Sequence, residues 1–148
     1  MFKGTYEVRV GKDKVWAYIS NPEKVVTCMP GFKSLEIISE EEFTVKTELG
    51  IGWIKGDFDF VIRVKEQSPP SYAALSGHGS GVGSTIDVDL SISLNEEREG
   101  ETALLWEANV RVGGLLAAIG QRVLKNVAEK IATQLLENVR MELEKLTD

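Results

Sequence analysis

Hydrophobic and polar residues alternate from the start of the chain: Phe2, Gly4, Tyr6, Val8 and Val10 share one face, and Lys3, Thr5, Glu7 and Arg9 share the other. A period of two predicts a half-buried strand within Met1 to Val10, ended by Gly11. Val15, Trp16 and Ile19 then take helical spacing. A second short helix opens at Ser20-Asn21-Pro22-Glu23, where Ser20 and Glu23 suit a capping box, or Asn21 caps with Pro22 in the first helical position. Pro30-Gly31 fits the centre of a type II turn and stops the helix pair at Cys28 or Met29.

The alternation then returns. Phe32 to Ile38 and Phe43 to Leu49 read as a hairpin around Glu40-Glu41-Glu42. From Ile54, the residues Phe58, Phe60, Ile62 and Val64 alternate with Asp57, Asp59 and Arg63, until Pro69-Pro70 closes the strand because neither residue donates to a ladder. Tyr72 to Gly77 is a shorter strand running into Gly79, Gly81 and Gly83. Ile86 to Leu94 and Leu104 to Val112 complete about seven strands joined by tight turns, which predicts an antiparallel meander with one buried face. After Gly113-Gly114 the period changes. Leu116, Ile119, Val123, Val127, Ile131, Leu135, Val139, Leu143 and Leu146 recur mostly four apart, which predicts one long helix from Leu115 to Leu146 interrupted only by Gly120.

A sheet with one apolar face must cover it, and the final helix is the only long element available. The expected fold is a single α+β domain over residues 1–148, a curved seven-stranded antiparallel sheet gripping the C-terminal helix, with two short helices after the first strand. The space between sheet and helix is hard to fill completely, and a ligand would sit there. Its expected lining is Trp16, Trp53, Phe58, Phe60, Trp106, Ile119, Gly120, Val123 and Val127. Gly120, read as lying on the helical apolar face, implies that either sheet backbone or a ligand approaches closely.

Charge and composition narrow the function. The chain has 17 basic and 23 acidic residues and a net charge of −6, the wrong sign for neutralising a phosphate backbone, so nucleic acid is not an expected partner. A single cysteine forms no internal bridge, and a reducing, cytoplasmic setting is expected. No stretch approaches the roughly 18 apolar residues of a membrane-spanning helix, and the N-terminus does not read as a signal peptide.

Catalytic chemistry finds little support. His78 is the single histidine and lies between glycines at what reads as a strand end or loop. Cys28 lacks a CxxC companion and reads as a buried small hydrophobe. Asp57 with Asp59, and Asp87 with Asp89, fall on the solvated face of their strands. The run Gly77 to Gly83 includes GxGxG but precedes a strand, so no helix N-terminus can receive a phosphate, and a flexible or bulged hairpin is expected. No catalytic residue, metal set or cofactor is expected.

Several short segments carry a resemblance across nearly the whole chain. They are Phe2-Lys3-Gly4, Val15-Trp16, Cys28-Met29-Pro30-Gly31, Gly56-Asp57-Phe58 with Val64, the run Gly77 to Gly83, and Gly113-Gly114-Leu115-Leu116-Ala117 with Gly120-Gln121-Arg122. With these the chain resembles the CoxG family of carbon monoxide dehydrogenase subunits, within the START-like, polyketide-cyclase and lipid-transport (SRPBCC) superfamily. The resemblance implies the helix-grip fold. It also implies a non-catalytic accessory that binds a small hydrophobic, lipid- or quinone-like ligand and assists a molybdenum-containing dehydrogenase, with peripheral contact at the inner face of the membrane. Larger members carry a C-terminal extension that can contact membrane; this chain stops at Asp148, just after its helix, and is expected to lack that anchor. The alternatives on the same fold are a cyclase- or aromatase-like enzyme, and a protein-interaction adaptor with a filled core.

Overall fold

The computed structural model describes residues 2–145. Strand β1 (Phe2–Val8) leads into helix α1 (Lys12–Ile19), helix α2 (Pro22–Val25) and a 3-10 turn (Val26–Cys28). Six strands follow: β2 (Phe32–Ile37), β3 (Glu42–Ile51), β4 (Ile54–Ser68), β5 (Tyr72–Gly81), β6 (Ser84–Arg98) and β7 (Glu101–Gly114). A second 3-10 turn (Leu115–Ala118) precedes helix α3 (Gln121–Lys145). At the start of α2, Asn21 is the cap, accepting from the Glu23 backbone N–H with Pro22 beside it, while Ser20 turns back to the Trp16 carbonyl.

The strands form one antiparallel sheet in the order β1-β7-β6-β5-β4-β3-β2, a meander closed by β1 on the far edge of β7. The sheet and its long C-terminal helix make the expected helix-grip fold. Register puts Trp106 opposite Ile92 and Gly4, Leu75 opposite Leu90 and Val64, and Phe60 opposite Val45 and Gly79, so the alternating apolar residues share the face turned toward α3. The carboxylates lie on the other face, as expected: Lys33 pairs with Asp57 at 2.8 Å and Arg111 with Asp89 at 3.3 Å.

Two expectations are corrected. The glycine run is regular strand as far as Gly81, and His78 sits inside β5 opposite Val61 and Asp87, not at a strand end. The predicted helix from Leu115 is broken at Gly120, whose φ of +98° separates the 3-10 turn from α3. The expected end at Leu146 lies outside the described residues.

Candidate ligand-binding site

The buried core falls into three clusters, one at each end of the space between sheet and α3 and a third in which Val26 packs with Phe43 and Val45 of β3. At one end Val8, Val15, Cys28, Leu94 and Leu104 pack against Val139 and Leu143 of α3. At the other, Ile51, Ile54, Phe58 and Ile86 pack against Leu116. Between them, Phe60, Leu75, Val88, Leu90, Ile92, Trp106 and Val110 from the sheet, and Val127, Ile131 and Leu135 from α3, are only half-buried. Helix α3 itself therefore buries side chains only in its second half, and the far cluster is closed by Leu116 of the 3-10 turn before it.

An apolar pit of about 60 Å³ opens beside this zone. Trp16, Ile19 and Val25 line it from α1 and α2, and Phe43, Val64, Ala73, Leu75 and Ile92 from the sheet, with Ser20 and Gln67 adding polar atoms. Gln67 reaches it because β4 shifts register between Val64 and Glu66, setting Gln67 opposite the inward-facing Ala73. A larger hollow, about 650 Å³, runs along α3 and is lined by Asn126, Glu129, Lys130, Thr133, Gln134, Glu137 and Asn138. It is an open trough of amides and charges, poorly suited to an apolar guest.

The sequence-predicted lining separates into groups. Trp16 lines the pit, and Phe60 and Trp106 are half-buried on the inward face. Phe58 is fully buried in the far cluster, its ring centroid 6.5 Å from that of Phe60, with Ile119 and Val127 packed against the same cluster. Val123 is 39% exposed. Trp53 is 68% exposed on the turn between β3 and β4 and does not lie beneath the helix. A Cβ on Gly120 would meet nothing within 4 Å, so neither sheet backbone nor a packed side chain requires glycine there; the positive φ does.

Polar contacts fasten the second half of α3. Asn138 donates to the Cys28 carbonyl at 2.8 Å, and the Arg9 backbone N–H donates to Glu144 at 3.3 Å. The Tyr6 hydroxyl and the Arg140 guanidinium both donate to the Glu137 carboxylate. The Arg140 contact, then that of Tyr6, holds the Glu137 carboxyl below its ordinary value, while burial foremost raises the Tyr6 phenol. Burial, with Cys28 Sγ at 3.3 Å, also raises the Tyr18 phenol. Among the described residues, Arg140 Nε is a buried donor with no acceptor.

Other inward polar groups are satisfied locally: Thr47 donates to the Pro30 carbonyl and Thr102 to that of Val10, and Ser84 accepts from the Leu116 N–H. His78 lies on the outer face, its Nδ1 2.6 Å from Asp87. Among the described residues there is no group of three or more His, Cys, Asp or Glu placed to hold a metal ion, and no helix long and apolar enough to cross a membrane.

The profile of the carbon monoxide dehydrogenase subunit (CoxG) family matches residues 4–144. The chain belongs to this family. Among solved structures, a conserved protein from Geobacillus kaustophilus is similar at 30% identity, covering 97% of this chain and 94% of that one, with a TM-score of 0.91. A START superfamily protein from Mycobacterium smegmatis superposes with a TM-score of 0.77 at 15% identity, covering 98% and 97%. The Zhui aromatase/cyclase from Streptomyces sp. R1128 superposes at 0.72 with 14% identity, covering 99% and 94%, a likeness of fold. No curated protein matches.

Sequence reasoning missed two features of this CoxG-family chain. Gln67 faces the pit only because of the β4 bulge, which breaks the alternation by one residue without changing composition. Tyr6 and Glu137 lie 131 residues apart, and no local pattern joins them.

Proposed function

We propose that this CoxG-family chain binds a small apolar or amphipathic molecule, lipid- or quinone-like, between sheet and α3, and serves as a non-catalytic accessory to a carbon monoxide dehydrogenase-type molybdenum enzyme. The observation carrying the ligand-binding reading is the divided core: facing apolar side chains at the centre remain half-buried while three buried clusters are packed around them. Protein interiors ordinarily close such gaps, because each unfilled contact forfeits dispersion energy. A pit of about 60 Å³ falls well short of the roughly 300–1,000 Å³ of small-molecule pockets, so a lipid-sized guest requires the middle of α3 to lift. The break at Gly120 and the fastening beyond Gln134 support a movement confined to the first half of the helix. The accessory role rests on family membership. The non-catalytic reading is supported by an inward face whose Thr47 and Thr102 hydroxyls are engaged by backbone, and by a histidine on the opposite face.

Native mass spectrometry of protein purified without detergent tests the binding reading, together with titration by the apolar fluorophore 1-N-phenylnaphthylamine. A retained small molecule or saturable one-to-one enhancement is expected. A clean apo mass together with no saturable enhancement would overturn binding and leave the adaptor.

A further inference from the structure

Strand β1 carries a glycine on its inward face, Gly4, directly opposite Trp106 of β7. A Cβ there would lie 2.9 Å from Trp106 Nε1 and 3.1 Å from Cε2 and Cζ2, so the Nε1 edge of the indole lies over bare backbone. Gly4 is not among the glycines of positive φ, and room for the ring is what its missing side chain provides. An aromatic ring laid over a cross-strand glycine stabilises a sheet by itself. That accounts for the ring but not for its N–H.

A buried indole N–H ordinarily finds an acceptor. Trp106 is half-buried and packs with Tyr6, Ile92, Leu135 and Leu136 at the end of the core that holds Val139 and Leu143. Among the described residues nothing accepts from its Nε1. The unpaired side-chain atom sealed from solvent is Arg140 Nε, so the indole N–H stays open to the space beside it. The inward hydroxyls are engaged, Tyr6 by Glu137, Thr47 by the Pro30 carbonyl and Thr102 by that of Val10. Trp16 on α1 carries another unengaged indole N–H, and no glycine makes room for it. The cation that Tyr6 and Glu137 bring to this end, Arg140, is already paired, so an uncharged donor is what a guest meets here.

We infer that the Trp106 N–H receives the polar end of the guest, and that the guest carries a neutral acceptor there, a carbonyl or ether oxygen. This assignment rests on the reading that sheet and α3 hold a guest, and adds the chemistry of its head. Gly4 positions the ring, and Trp106 touches the guest. In a space otherwise lined by apolar side chains, a donor left unpaired is costly, so a guest with an oxygen at this point is favoured over a hydrocarbon of the same shape.

Displacement of 1-N-phenylnaphthylamine from the whole protein by 2-acetylnaphthalene and by 2-ethylnaphthalene tests it, since the two differ little except in the carbonyl. The affinity of the ketone relative to the hydrocarbon should fall about threefold to tenfold in Trp106→Phe, the contribution of one neutral hydrogen bond, while the hydrocarbon still binds. Gly4→Ala should lower the same ratio by pushing the indole aside, and should add nothing in the Trp106→Phe background. Trp16→Phe should leave the ratio as in wild type. An indole with only a packing role would weaken both guests alike. An unchanged ratio in Trp106→Phe, or a loss in Trp16→Phe instead, would overturn the assignment while leaving guest binding intact. If Trp106→Phe does not fold, Gly4→Ala decides by the same comparison. No saturable binding of the fluorophore would remove the binding reading and this assignment with it.

Discussion

A Cβ placed on Gly79 would come within 2.5 Å of the ring of Phe60, its cross-strand partner in the β4–β5 pair. The glycine thus lets a bulky ring lie flat across the neighbouring strand on the inward face. A glycine inside a strand ordinarily weakens it, so a close approach is the reason to keep it.

Gly79→Ala should therefore destabilise, although alanine is the better strand residue at an open site. Phe60 must rotate or the strands must separate, an overpacking cost of about 1–3 kcal/mol. Urea unfolding measures it, and the double variant Gly79→Ala/Phe60→Leu should recover part of the loss. No recovery would mean that the ring is not what excludes the methyl group.

Gly120→Ala should also destabilise, for a different reason. Its surroundings are open, so no clash arises, but a φ of +98° strains a residue with a Cβ by about 1–3 kcal/mol. The alternative relaxation is to continue the 3-10 turn into α3 as one helix, which would redirect Leu115–Ala118. Circular dichroism distinguishes the two: greater helicity indicates the second route, and unchanged helicity with a lower melting temperature indicates strain.

The architecture is legible in the sequence because two periods carry it, alternation through the strands and a four-residue recurrence through α3. The joint at Gly120 is not, since Leu116, Gly120 and Leu124 continue the helical spacing without a phase break and composition does not encode φ. The glycine run conceals a strand because glycine has no side chain to display alternation, and its cause, Phe60, lies on another strand. Trp53 falls among the inward residues on hydrophobicity alone. The pattern Ile51-Gly52-Trp53-Ile54, a glycine between two alternating runs, is the available sign of a turn. Trp16 needs only local helical spacing to be placed on an apolar face, and it lines the pit.

Glu137 gives a pH-dependent test. Its carboxyl is held below the ordinary value of 4.5, chiefly by Arg140 and then by Tyr6. The folded state then binds fewer protons than the unfolded state, so this contribution is complete above the unfolded pKa and is lost as pH falls through the lower folded value. Glu137→Gln should be less stable than wild type at neutral pH, with the gap narrowing as pH is taken below 4.5. Thermal melts across that range check the sign, and a gap that stays constant would exclude the ionised carboxylate as its source.

The two halves of α3 should differ in hydrogen exchange. Its buried residues are Val139 and Leu143, and the contacts from Asn138 to Cys28, Glu137 to Tyr6 and Glu144 to Arg9 all lie in the second half. The first half begins at a glycine with open surroundings and rests on half-buried neighbours such as Leu124, Val127 and Ile131. Local opening follows the density of buried contacts, so amides from Gln121 to Gln134 should exchange faster than those from Leu135 to Lys145. Saturation with 1-N-phenylnaphthylamine should slow the first half selectively, because a guest beneath the helix adds there the contacts that the apo protein lacks. Equal exchange along the whole helix would remove the lever that the binding reading requires. Faster exchange in the first half that the probe leaves unchanged would keep the lever and discard the guest.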